Sequence, residues 1–480
     1  MIKVRKTGIV LIIQIFCFSL FSQNVKISGN APAYAGEEIE FFVSPNPVTR
    51  FEKSAGKCSV DNNGNFNCEL NIEKTCRIDI PLGIYRGYFY ATPGNGYELA
   101  LPPPKKKTEI QKLNPYFNET EIHLGILNED KKGLNYLVQK FDETFRPLLN
   151  DAAIKAYTHK SADYISFIDK LNKLDDSTSN IFYNNYKKYS IELLQIVSSV
   201  YSSRKRNLFS FAGLPLDYNN PSFITLFNQV FHHYFSSLGR SKNGQRIYTD
   251  INRKRNYTGL LETVKNDLTF ANDSLSELVI LKNIYEGFYQ EEFSNEGLLA
   301  ILDSLRSDTK ISEHKFFAEQ IRKEVTRLMK GFPAPGFALP NTTDSIIELN
   351  TLKGKYVYLC FCSTRSYPCM EQISLLRDLL KKYSEKLSIV IVMADSDYSV
   401  VKKFAQNYGF TGIMLIAGNR NDLLKQYKIK AYPTYYLIDP DGNFVLSPAP
   451  SPVENFELGF RNILLMKTFE NDVDLIKIPK

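Results

Sequence analysis

Ser366 and Cys369 lie three positions apart in the stretch Lys355-Tyr-Val-Tyr-Leu-Cys-Phe-Cys-Ser-Thr-Arg-Ser-Tyr-Pro-Cys-Met-Glu-Gln372, with Cys360 and Cys362 just upstream. Two cysteines at that spacing, opening a helix directly after a strand, perform thiol–disulfide exchange: one thiolate attacks, and the second thiol releases the mixed disulfide. The helix N-terminus lowers the pKa of a thiol placed there. Here the second cysteine is present and the first position is a serine. A helix terminus cannot give a hydroxyl the chemistry of sulfur, so Ser366 and Cys369 cannot form the usual disulfide. A hydrolytic role for Ser366 needs a base. All five histidines (His123, His159, His232, His233, His314) precede residue 331, so the segment itself supplies no imidazole.

The elements that must position these residues follow from periodicity. Tyr356 to Cys362 is an apolar run that reads as a buried strand. Ile373, Leu376, Leu379 and Leu380 then mark one face of a helix. The alternation continues: strand 356–362, helix 369–383, strand 387–394, helix 399–408, strand 412–417, helix 420–427 and strand 434–438. A turn at Asp439-Pro-Asp-Gly442, a strand at 443–447 and a helix from about Val453 complete it. This predicts an α/β layer whose sheet is partly parallel. Gly331-Phe-Pro-Ala-Pro-Gly-Phe-Ala-Leu-Pro340 cannot be helix interior and marks the boundary before it.

Upstream, residues 23–104 read as a β-sandwich-like domain, with β-prone runs such as Glu38–Val43 and Gly87–Ala91 bounded by Gly, Pro and Asn. Asp61-Asn-Asn-Gly64 is a hairpin signal between Cys58-Ser-Val60 and Asn65-Phe-Asn-Cys68, and a symmetric register pairs Cys58 with Cys68. Residues 105–330 read as mainly helical. Phe223, Leu226, Phe227, Val230, Phe231 and Tyr234 recur at helical spacing, as do Leu134 to Phe145 and Leu275 to Ile284. His232-His233 invites a metal reading. Adjacent positions on a helix point about 100° apart, so one ion is not expected between them and no metal site is assigned.

At 480 residues the chain exceeds one ordinary core and requires several domains. Lys3, Arg5 and Lys6 followed by the apolar run Ile9–Phe21 form a secretory signal over residues 1–22, too short to span a membrane comfortably. Its removal lowers the formal charge from +7 by three, to +4. Those charges are dispersed, so no nucleic-acid footprint is present. No later stretch is apolar enough to span a membrane. Export makes disulfides possible for the six remaining cysteines.

The C-terminal segment resembles the TlpA/ResA-like envelope thiol–disulfide oxidoreductases of the thioredoxin fold, a redoxin (AhpC/TSA-like) group. Ala334-Pro-Gly-Phe-Ala-Leu339 resembles that family's opening, Gly354 to Ser363 its central strand, and Tyr432-Pro433-Thr434 with Leu437-Ile-Asp439 and Asp441-Gly442 its later strand and turn. The resemblance implies a multi-domain α+β protein with a thioredoxin-like α/β domain over 331–480. It implies a periplasmic or cell-envelope location in a Gram-negative-type bacterium, protein thiols or disulfides as partners, and no cofactor. Carried over by position, Cys369 matches the resolving cysteine, Ser366 the nucleophile, and Pro433 a cis-proline beside the site. Tyr432, Tyr367 and Pro368 fall where client chains bind. Cys362 and Arg365 stand where tryptophans are usual. Cys360 stands where thioredoxins carry a buried acid and relatives often an amide, which leaves no proton acceptor there. Three readings stay open: a fold kept for binding, a Cys362–Cys369 redox pair, or mixed disulfides at Cys369 alone. The Cys362–Cys369 pair requires Cα atoms within about 7 Å. Cys360 and Cys362, two strand residues about 6.5–7 Å apart, are poorly placed to pair with each other.

Overall fold

A computed structural model describes residues 24–475 except 50, 109–110, 112–113, 115–116, 161, 175–176, 199–210, 212, 269–270 and 419. The expected signal, residues 1–22, lies outside the described residues. The described residues form two compact units, one running to residue 106 and resuming over 119–229, the other made of 107–118 and the residues from 230 onward. Among the described residues no helix is long and apolar enough to cross a membrane.

Among the described residues of the first unit, nine strands build two sheets. They are β1 (Val25–Asn30), β2 (Glu38–Val43), β3 (Lys53–Ser59), β4 (Asn65–Leu70), β5 (Cys76–Leu82), β6 (Tyr85–Ala91), β7 (Gly96–Ala100), β8 (Thr120–His123) and β9 (Gly125–Ile126). The orders are β4-β1-β7-β9 and β3-β2-β5-β6-β8. Val25, Ile27, Phe41, Ile78, Ile80 and Phe89 from the two sheets share one fully buried core. β8 and β9 lie past residue 104. Their four and two residues are too short to show a period-2 signal, so only pairing reveals them.

Cys58 and Cys68 are disulfide-bonded with Cα atoms 5.4 Å apart. The expected pairing is present, but not across a hairpin ladder. Cys58 lies on β3 and Cys68 on β4, edge strands of different sheets, so the bond ties the sandwich together along one side. The Asp61–Gly64 turn carries the chain from one sheet to the other. The Asp61 carboxylate accepts the Asn63 and Asn65 N–H groups, each at 2.8 Å, and Gly64 supplies the positive φ. Helices α1 (Leu134–Tyr157), α2 (Tyr164–Asn172) and α3 (Ile181–Ser198) pack on Tyr88 and Tyr90 of β6, and α4 (Pro221–Val230) closes the unit.

The second unit begins with α5 (Tyr234–Ser237), α6 (Lys242–Thr249), α7 (Tyr257–Asp267), α8 (Asp273–Gly287), α9 (Asn295–Asp308) and α10 (Ser312–Thr326). The periodicity from Phe223 to Tyr234 suggested one helix, and here the structure corrects it. The helix stops at Val230 and restarts at Tyr234, with His233 in the left-handed region at φ 47°. An apolar period persists across the break because Phe231 and Tyr234 are buried on both sides of it.

The C-terminal sheet has the order β14-β13-β12-β15-β16, formed by β12 (Tyr356–Cys362), β13 (Leu387–Met393), β14 (Ile413–Ile416), β15 (Thr434–Ile438) and β16 (Phe444–Ala449). A two-stranded ribbon of β10 (Ala338–Pro340) and β11 (Ile346–Glu348) precedes it. β12, β13 and β14 are parallel, whereas β15 and β16 run antiparallel. β12 is buried throughout because helices cover both faces. Its alternation divides the core. Tyr356, Tyr358, Cys360 and Cys362 face α11 (Tyr367–Tyr383), α12 (Tyr398–Tyr408) and α14 (Phe456–Leu475). Val357, Leu359 and Phe361 face Phe337, Leu339 and the α13 (Asn421–Gln426) side. This is a thioredoxin-like domain.

Candidate active site

The site forms where the parallel strand β12 ends and α11 begins. Cys362 is the last strand residue, and Ser366 is the N-cap of α11. Pro368 at the second helical position suits a helix start, where no N–H partner is needed. Serine is a favoured N-cap because its hydroxyl accepts a backbone N–H. Ser366 makes no such cap bond. Its hydroxyl instead donates to the Tyr432 carbonyl at 2.9 Å. Tyr432 precedes Pro433 through a cis peptide bond. The structure therefore brings Ser366, Tyr432 and Pro433 together.

Beneath them lie three sulfurs. Cys369 is 1% exposed, Cys362 2% and Cys360 0%. The Cys362 thiol donates to the Cys369 sulfur, and the Ser363 backbone and the Ser366 hydroxyl group lie beside it. These neighbours, the Cys362 contact foremost, hold Cys369 below the usual thiol value of 9.0, although burial and the Asp395 charge oppose them. Cys362 is pushed well above that value, first by burial and then by the neighbouring cysteines. Of this pair, Cys369 is the thiol that ionises more readily.

Strand spacing makes Cys360 and Cys362 a poorly placed pair for a disulfide with each other. Their sulfurs are 3.2 Å apart. Strand rise sets the Cα spacing, but two side chains on one face can lean together and close several ångströms of it. Both remain free thiols, as does Cys369.

Asp395, just beyond β13, was not singled out by any motif. It fixes the turn between strand and helix: it accepts the Thr364 N–H at 2.9 Å, the Thr364 hydroxyl at 2.7 Å and the Ser363 hydroxyl at 3.2 Å. The only signal was its place at the C-terminal end of a parallel strand, where sites in such sheets gather. Gln372 is a second addition; it accepts the Tyr435 hydroxyl at 2.7 Å in the core. Burial, with Asp395 and the two cysteines nearby, pushes the Tyr432 phenol up to about 12, so it stays a neutral hydrogen-bonding group. Pro368 is exposed at the rim. Tyr367 is 66% exposed, and its hydroxyl engages Glu371 rather than the sulfurs. Arg365 is exposed and gives only a backbone bond to Ser363.

Comparison with known proteins follows this geometry. The AhpC/TSA family matches residues 331–446. The thiol-disulfide oxidoreductase ResA of Bacillus thuringiensis (strain Al Hakam) is 33% identical over 131 residues, 27% of this chain and 72% of that protein. The thioredoxin-like protein YneN of Bacillus subtilis is 32% identical over 124 residues, 25% of this chain and 71% of its own. Among solved structures, one described as a thiol-disulfide oxidoreductase from Bacteroides vulgatus is 26% identical. It covers 29% of this chain and 92% of that one, with a TM-score of 0.27.

Proposed function

Since the chain belongs to the ResA-like, thioredoxin-fold family of thiol–disulfide oxidoreductases, we propose that it is an exported cell-envelope member whose ordinary two-cysteine exchange is lost at Ser366. It retains the client groove. The observation that carries this reading is Ser366 itself. Its hydroxyl stands at the attacking position and is spent on the Tyr432 carbonyl at 2.9 Å, while the remaining thiol, Cys369, is buried beneath it. Exchange requires a thiolate that reaches the client disulfide and a second thiol that resolves the product. A serine supplies neither. The rim of Tyr432, Pro433, Tyr367 and Pro368 then holds an extended chain from an envelope protein carrying thiols or disulfides. The β region 23–104 and the helical region 105–330 add further interaction surface.

The test is a disulfide-reduction assay on the mature chain and its Ser366→Cys variant. Little or no turnover in the wild type and clear turnover in the variant is expected. Wild-type turnover that survives Ser366→Ala and disappears in Cys369→Ala would overturn the reading.

One observation favours a second reading. The Cys362 thiol is hydrogen-bonded to the Cys369 sulfur, so these two can form a disulfide while a client disulfide takes up the two electrons and two protons. Differential alkylation with peptide mapping separates the readings. A reversible Cys362–Cys369 bond, lost in Cys369→Ala, supports the rearranged pair; thiols that stay reduced under oxidation support the binding role.

A further inference from the structure

The break between α4 and α5 creates a cluster that a continuous helix would have dispersed. His232 and His233 lie in that break with ring centroids 3.8 Å apart. Both turn toward Glu286 on α8. His232 Nδ1 lies 3.0 Å from Glu286 Oε1, and His233 Nδ1 lies 3.9 Å from Oε2. One nitrogen from each imidazole and one carboxylate oxygen all fall within 4.8 Å of one another. We propose that these three residues form a binding site for a divalent transition-group cation such as Zn2+.

Several features point to a cation of this class. Two imidazoles and one carboxylate suit Zn2+ or its neighbours better than Mg2+ or Ca2+, which favour all-oxygen sites. Ligand bonds of about 2.0–2.2 Å require only a modest contraction of this triangle. The rings are 62% and 48% exposed, so an ion can enter and a position stays open for water or a partner's ligand. The carboxylate is pre-positioned by the His233 backbone N–H, which donates to Oε2 at 2.9 Å. The Gln290 amide N–H donates to His233 Nδ1 while its oxygen accepts the Ser236 hydroxyl at 2.8 Å, so an ion at Nδ1 displaces that N–H. His233 holds a left-handed backbone, uncommon for a residue with a Cβ, and this brings its ring beside His232.

Lys282 acts against the ion. Its ammonium lies 2.8 Å from Oε1 of the same carboxylate, which leaves Oε2 as the ligand and weakens the site. Removing that charge therefore strengthens binding, an effect opposite to that of removing a ligand.

The probe is Zn2+ alone, added to the reduced mature chain and measured by equilibrium dialysis with metal counting. The free cysteines can also hold Zn2+, so the reading is the difference between variants. Wild type is expected to hold one more Zn2+ per chain than His232→Ala or Glu286→Gln, or to bind it at least about tenfold more tightly, since loss of even an outer-layer partner costs about 10–100-fold. Lys282→Met is expected to bind more tightly than wild type. His232 is exposed, so its alanine variant is decisive if Glu286→Gln fails to fold. Equal Zn2+ content in wild type and His232→Ala would overturn the proposal. A Co2+ spectrum of the wild type showing thiolate ligation alone would do the same.

Discussion

Replacing Cys362 by alanine raises the pKa of Cys369. In the native site the Cys362 thiol, the neighbouring Ser366 hydroxyl group and the Ser363 backbone favour ionisation of Cys369, and together these outweigh burial and the Asp395 charge. A hydrogen bond to an ionised group contributes about 1.5–3 kcal/mol, and about 1.36 kcal/mol corresponds to one pKa unit. Loss of the Cys362 donor therefore moves Cys369 upward, because the burial that opposes ionisation remains. Ser366→Ala acts in the same direction but less strongly, since the Cys362 contact is the larger influence. Cys362→Ser keeps a donor and stays nearest to wild type. Asp395→Asn removes a like charge and moves Cys369 down. The assay is the pH dependence of Cys369 alkylation by a small reagent, quantified by peptide mass, with ultraviolet thiolate absorbance as a check. Reactivity rises as pH passes upward through the folded-state pKa, so the alanine variant needs a more alkaline solution for the same rate. A Cys369 pKa unchanged or lowered in Cys362→Ala would refute the contact, and with it the rearranged redox pair.

Two further outcomes follow from the first unit. Burial, then the nearby Arg146 cation, pushes His123 down to about 4. The unfolded chain takes up that proton from about pH 6.5 downward while the folded chain does not until about 4, so stability falls as pH falls across this window, by at most roughly 3 kcal/mol. Hydrogen exchange of peptides spanning β8 and α1 should show it, and His123→Gln should flatten it. Removing the Cys58–Cys68 bond by paired alanine substitution releases a short loop, with a sequence separation of 10, and should destabilise the sandwich by about 3 kcal/mol on loop-entropy grounds. Hydrogen exchange across β3 and β4 measures this; unchanged protection there would show the bond to be energetically idle.

Local chemistry makes some parts of this protein legible from the residues alone. Seven apolar residues between a charged edge and a Ser-Thr-Arg turn made β12, and the Pro and Gly run at 331–340 could not be helix. Ser366 in place of cysteine removes a sulfur whatever the fold. Asp61-Asn-Asn-Gly64 had to turn, since only such residues adopt its backbone comfortably. What those local elements face depends on long-range packing. Cys58 and Cys68 meet between edge strands of two sheets, because pairing partners are chosen by burial of whole sheet faces rather than by the turn alone. Asp395 meets Thr364 because parallel pairing of β12 and β13 aligns their C-terminal ends. The sulfurs of Cys360 and Cys362 converge through side-chain lean that Cα spacing does not report. His232 and His233 converge on Glu286 because the helix breaks where buried Phe231 and Tyr234 anchor the chain on either side. Periodicity records which residues are buried, but not whether the backbone between them stays helical.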